Sequence, residues 1–118
     1  MAWQSYKELI VWQKSMDLVD EVYRLIKKLP REELYALSDQ MRRSAISIPS
    51  NIAEGHSRHS AKEFRHFLSI SKGSASELET QLLICIRQKY LSEPQTHTAL
   101  GLCDEISRIL AKIIMNTN

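Results

Sequence analysis

The chain has 118 residues, 43% of them apolar and 25% charged, with a formal net charge of +2 and three glycines, three prolines and two cysteines. That length suits one domain able to bury a single core without metal or disulfide staples. The composition excludes a disordered polyelectrolyte, a turn-rich β-sandwich and a cysteine framework. No apolar run approaches the roughly 20 residues of a membrane span. The opening MAWQSYKEL lacks the apolar core and small-residue cleavage site of a secretory signal. A cytoplasmic chain with no membrane partner is therefore expected.

Four helical segments follow one another with short connections, at about residues 6–29, 31–55, 61–90 and 93–115 by their apolar period and end signals. The first opens at Ser5-Tyr6-Lys7-Glu8, a capping-box pattern, and is stopped by Pro30. It carries two apolar stripes side by side: Leu9, Trp12, Met16, Val19, Tyr23 and Ile26, and then Val11, Leu18, Val22, Leu25 and Leu29. A helix in a single bundle needs about one stripe for its core. The surplus is either a wide core-facing arc or a surface covered by another subunit, and Val11, Leu18, Val22 and Leu25 are candidates for that interface.

The second segment starts near Arg31, with Glu32 and Glu33 placed to complement the positive end of the helix dipole. Its stripe Leu37, Met41, Ala45, Ile48, Ile52 keeps one rhythm through Pro49. A new helix beginning at Pro49 would have Ile48 as its N-cap, and isoleucine offers no side-chain acceptor. One helix kinked at Pro49 is the expectation, with Ser47 or Ser50 satisfying part of what the missing amide leaves open. Gly55 reads as a left-handed C-terminal residue.

The third segment opens at Ser60-Ala61-Lys62-Glu63, another capping box, and carries the stripe Phe64, Phe67, Ser71, Ala75, Leu78, Leu82, Cys85. Gly73 in its middle costs about 1 kcal/mol relative to alanine, so a close neighbour is expected there, with the small residues Ser44 and Ala45 as the candidates across from it. The fourth opens at Ser92-Glu93-Pro94-Gln95, with the proline in the first turn where no hydrogen bond is lost. Its apolar positions also exceed one stripe, which adds Leu110 and Ile114 to the candidate interface. Short loops between four amphipathic helices predict an all-α, antiparallel up-down-up-down four-helix bundle over residues 1–118.

Chemistry is sparse. Glu63-x-x-His66 is half of a di-iron pattern whose second half has no counterpart in the chain. His56 and His59 read as loop residues suited to a surface or a phosphate. No phosphate-cradling glycine loop, nucleophile elbow or cysteine–base pair is present. The expectation is a non-enzyme with no metal, no cofactor and no small-molecule substrate, and with Cys85 and Cys103 as buried small hydrophobes.

Charge is distributed unevenly. Between Gln40 and Lys72 stand Arg42, Arg43, Arg58, Lys62, Arg65 and Lys72 against Glu54 and Glu63, a local net of +4 in a chain of +2. Arg58, Lys62 and Arg65 share one face around the start of the third helix, whose free amides suit phosphate. Arg42, Arg43, Arg58, Lys62 and Arg65 are thus candidate nucleic-acid contacts. The alternatives are an acidic protein partner, or a solvated face in which Arg42 and Arg43 pair with Asp39 and Glu54.

The stretch QMRRSAISIPSNIAEGHSRHSAKEFRHFLSISKGSASELETQL resembles the central signature of the four-helix bundle proteins encoded in intervening sequences of bacterial 23S rRNA genes. LIVWQKSMDLVDEVYRLIKKLPREELYALSDQ resembles that family's first helix and turn. The family is in turn similar to the accessory subunit of diversity-generating retroelements, which engages nucleic acid and a reverse transcriptase. The resemblance implies a cytoplasmic bundle that assembles into a ring-like homo-oligomer, commonly a homopentamer, without known catalysis. It places Arg42, Arg43, Pro49, Asn51, Glu54, Gly55 and Arg58 in the signature, with Asn51 and Glu54 tying the end of the second helix to a neighbour. The chain departs from the pattern at Leu29, where an aromatic is usual, and at Ala36 and Lys89, where glycine is common. Two functions follow as expectations: an oligomer that associates with RNA or DNA, or a structural and protein-interaction module that binds no nucleic acid.

Overall fold

The computed structural model describes residues 5–118. Four α-helices run α1 (Ile10–Ile26), α2 (Leu37–His56), α3 (Ala61–Arg87) and α4 (Glu93–Asn116), with single-turn 3-10 helices at Tyr6–Glu8 and Arg31–Glu33. Each helix packs on its two sequence neighbours, and α4 closes onto α1. The order of contacts shows the antiparallel sense. Arg42 lies over the Tyr23 ring at one end of the α1–α2 pair, and Tyr6 meets His56 at the other. Between α2 and α3, Met41 meets Cys85 while Ile48 meets Ser71. The result is the expected up-down-up-down bundle, 45 Å long and 24 × 19 Å across.

The helix ends differ from the sequence expectation in instructive ways. The Ser5 hydroxyl accepts the Lys7 amide at 3.1 Å and caps the 3-10 turn rather than forming a box with Glu8, so α1 begins one turn later, after Leu9 in extended backbone. Towards Pro30 the chain tightens: the amides of Lys28 and Leu29 bond back three residues, to Leu25 and Ile26, and α1 ends at Ile26. Arg31–Glu33 forms only a 3-10 turn, and α2 starts at Leu37. Lys89 adopts the left-handed region at φ 65° where glycine is common. The amides of Lys89 and Tyr90 then bond to Ile86 and Cys85, closing the last turn of α3 as glycine would. At α4 the Ser92 hydroxyl and the Gln95 side chain satisfy each other's amides, at 3.2 and 2.8 Å.

α2 is continuous through Pro49, which is itself buried. The backbone around the proline is held by side chains. Asn51 Nδ2 donates to the Ser47 carbonyl and hydroxyl, both at 2.9 Å. Ser71 Oγ reaches across from α3 to the Ile48 carbonyl at 2.9 Å, and Ser74 Oγ to Ser47 Oγ at 2.8 Å. Asn51 holds Ser47 within α2, and the bond across to α3 is made by Ser74 to Ser47. Glu54 pairs with Arg58 one turn on.

The core corrects the interface assignment. Val11, Leu18, Val22 and Leu25 of α1 and Leu110 of α4 are at most 2% exposed, so they fill the centre of one chain and are closed to a second. Only Ile114, half-buried, keeps an outer surface. On α1 the compact branched residues fit the narrow space between helices. The larger Trp12, Met16 and Tyr23 lie on the flank, with Met16 and Tyr23 each 39% exposed. The apolar surplus is real, and it is the other stripe that carries it.

Two glycine assignments also change. No glycine has positive φ, and Gly55 lies inside α2. A Cβ there would stand 2.8 Å from the Phe67 Cβ, so Gly55 serves the close approach of α2 and α3. Gly73 faces outward, with nothing within 4 Å of where its Cβ would be. Ser44 and Ala45 are buried elsewhere, against the inner side of α3.

Candidate nucleic-acid interface

The turn from α2 to α3 gathers three of the basic candidates at one end of the bundle. Gly55 lets the first turns of α3 settle on α2, and Ser60 caps α3 by accepting the Glu63 amide at 3.3 Å. His59 makes the reversal in the left-handed region at φ 59°. Arg58 is held by Glu54 at 2.9 Å and by Glu63 at 3.8 Å, with its guanidinium 5.2 Å from the centre of the Phe67 ring. Arg65 turns towards α4 and donates to the Thr117 carbonyl at 2.8 Å, where the negative end of that helix favours a cation. Lys62 is exposed and makes no ion pair among the described residues. The three cations share an end of the molecule, and one of them is also a structural clamp.

Arg42 and Arg43 lie elsewhere, roughly 20 Å along α2 from Arg58 at 1.5 Å rise per residue. Both bind Asp39, at 3.3 and 3.0 Å. Arg42 is partly buried over Tyr23, whereas the Arg43 side chain is 79% exposed. The pairing of both arginines with Asp39 matches the solvated-face alternative, while Glu54 partners Arg58 and neither of them. Exposed pairs of this kind are worth about 0–1 kcal/mol, so an incoming phosphate can displace the carboxylate at small expense.

The histidines form no metal site: among the described residues no group of three His, Cys, Asp or Glu could hold an ion. His56 ends α2 rather than lying in the loop, and its Nε2 is buried without a protein partner. With His59, Phe64 and Ile113 it lines an open, largely apolar recess of about 570 Å³ beside the basic end. The thiols are inert. Burial pushes Cys85 up to about 11, with Glu33 adding to the shift, and Cys103 up to about 12, with Glu79 adding. Sequence reasoning missed Gln81, a polar residue on the core side of α3 between Leu78 and Cys85. Its spacing from Leu78 was the available signal.

The family model for the 23S rRNA-intervening sequence protein matches residues 7–112. The chain belongs to that family. A crystal structure of a protein of unknown function from the S23 ribosomal protein family of Bacteroides thetaiotaomicron is 31% identical to it, with a TM-score of 0.82 over 89% of this chain and 98% of that one. No curated protein matches. For this member of the 23S rRNA-intervening sequence family, the bundle is thus shared with a solved structure. Among the described residues no helix is long and apolar enough to cross a membrane.

Proposed function

We propose that this chain is a non-enzymatic assembly protein that forms a ring-like homo-oligomer, a homopentamer by resemblance, and associates with RNA through the basic end around Arg58, Lys62 and Arg65. The observation that carries the reading is the position of those cations at one end of the bundle, with Lys62 exposed and unpaired among the described residues. The family's name refers to intervening sequences of 23S rRNA, which makes RNA the nucleic acid to test first. Self-association is supported by apolar residues left exposed on three helices, Met16 and Tyr23 on α1, Ile46 on α2 and Ile70, Leu83 and Ile84 on α3. Apolar surface at different places on one chain suits a head-to-tail interface whose rotation closes a ring.

A second reading has a specific observation in its favour. Arg42 and Arg43 share Asp39, and Arg58 is paired with both Glu54 and Glu63, as in a protein-interaction module that binds no nucleic acid. An anisotropy titration of structured RNA, single strands and duplex at two salt concentrations separates the two. Neutralising about four phosphates gives a log–log salt slope near −3 to −4. Arg58→Glu with Lys62→Glu should abolish binding and leave helicity and mass unchanged; Arg65 is avoided because it also holds Thr117. Equal binding by the variant and the parent removes the basic end as the RNA contact, and a parent that binds none of the three RNAs rejects the RNA reading in favour of the module.

A further inference from the structure

A groove of about 240 Å³ lies between α2 and α3, its lining including Arg43, Ser44, Ser47, Ser74, Glu77 and Gln81. It is smaller than the sites that enclose whole small molecules, about 300 Å³ and upward, and suits a single planar group. Gln81 is only 9% exposed, yet its Oε1 is fully buried with no protein partner. Buried acceptors are nearly always satisfied, so an unpaired amide oxygen just behind the wall of an open groove marks a place where a turn of the Gln81 side chain would meet an entering donor. Ser44 and Ser74 are 7% and 5% exposed, and with Ser47 they line the groove with hydroxyl groups.

We infer that this groove accepts one unpaired nucleobase of the bound RNA, with a preference for guanine, a step that rests on the RNA reading above. The chemistry selects the base. Glu77 is exposed, makes no ion pair among the described residues, and like Gln81 Oε1 is an acceptor. A carboxylate repels phosphate, so the entering group is a base edge rather than backbone. Guanine alone offers two adjacent donors, N1–H and the N2 amino group, beside the O6 acceptor. Uracil sets one donor between two acceptors, and adenine and cytosine offer an amino group beside a ring acceptor. Arg43 engages Asp39 through Nε, which leaves its terminal amines for O6 or the adjoining phosphate. Unstacked bases in single-stranded RNA are the ones recognised on this edge.

The test uses the full chain and labelled RNA oligomers, U9 and the same strand with one central guanine, U4GU4. The parent should bind U4GU4 roughly tenfold tighter, in line with one good pair of base contacts. Glu77→Gln and Gln81→Met should each reduce that ratio towards one while leaving U9 affinity and its salt slope in place. Glu77 is exposed, so its variant tests the inference even if Gln81→Met unfolds. A parent that binds both strands equally, or variants that keep the preference, overturns the inference and leaves the RNA reading standing. A parent that binds neither strand nor structured RNA removes both. Variants that change the light-scattering mass with RNA binding unaltered make the groove a contact between copies, which also overturns the inference.

Discussion

Replacing Gly55 by alanine tests the α2–α3 packing that carries the basic turn. Gly55 is helical, so alanine meets no backbone obstacle; the difficulty is space. The new methyl would stand 2.8 Å from Phe67 Cβ, 3.3 Å from Phe64 Cδ1 and 3.4 Å from the Phe64 carbonyl oxygen. Phe67 Cβ is fixed to the α3 backbone, so the clash is relieved only by moving the helices apart. Overpacking of this sort costs about 1–3 kcal/mol, and the better helix propensity of alanine returns about 1 kcal/mol. Gly55→Ala should therefore be destabilising by about 0–2 kcal/mol. Gly73 and Gly101 have nothing within 4 Å of the added carbon, so only the propensity gain remains and each alanine should stabilise by up to about 1 kcal/mol. Urea unfolding with matched slopes reads the differences directly. At roughly 4 °C per kcal/mol, Gly55→Ala should melt about 4–12 °C below Gly73→Ala. If Gly55→Ala proves as stable as Gly73→Ala, the close helix approach is not what selects glycine, and the account of this turn is wrong.

Burial sorts the two stripes of α1 in a way that light scattering and circular dichroism can check together. Met16→Glu with Tyr23→Glu should reduce the mass to 13.6 kDa with helicity retained, whereas Val22→Glu with Leu25→Glu puts two unpaired charges into the core and should unfold the chain; the opposite pattern would overturn the core assignment. The dissociated Met16/Tyr23 variant should also lose RNA affinity by about 10²-fold with every basic residue intact, because linked copies rebind at high effective concentration. Cys85 and Cys103 should resist iodoacetamide at pH 8 until the protein is unfolded, and fast native labelling would contradict their burial. Both folded thiols hold their protons more tightly than the ordinary 9.0, so their contribution to stability is complete below pH 9 and falls as pH rises towards 11 and 12; urea midpoints should decline across that window.

The fold was legible because period and end signals agreed. The stripe Met41, Ala45, Ile48, Ile52 passes through Pro49 unbroken, and all four side chains are fully buried in one continuous helix. Ser92 with Gln95 was a complete start signal and forms a complete cap. Ser5 with Glu8 had the same spelling and produced only a 3-10 turn, since Leu9 leaves the helical region between them and α1. Where two stripes are equally apolar, hydrophobicity cannot say which faces inward; on α1 Val11, Leu18, Val22 and Leu25 are buried while Met16 and Tyr23 keep an outer surface, and branched Val19 and Ile26 are half-buried beside them. Gly55 was read through backbone freedom when its role is space. That distinction depends on Phe64 and Phe67, about one helical turn into the next element, which no local pattern contains.

The same limit governs the basic residues, and it bears on how such a surface can work. Sequence counts Arg42, Arg43, Arg58, Lys62 and Arg65 as five cations, but three are held by carboxylates within about one helical turn and Arg65 is spent on Thr117. What one chain presents is an unpaired lysine beside Arg58, which must exchange Glu54 for phosphate, and roughly 20 Å away two arginines that share Asp39. Each exchange gains little, because the broken pair and the new one are both exposed and screened. A lone copy is therefore a poor binder, and its surface alone looks like a solvated face. In the proposed ring, repetition would change the balance without altering any contact: copies would hold their lysines and exchangeable arginines at fixed spacing, and an RNA released by one would remain within reach of the next. Weak, locally neutralised sites suit such an assembly, since tight ones would trap RNA on single chains and leave nothing for the ring to add.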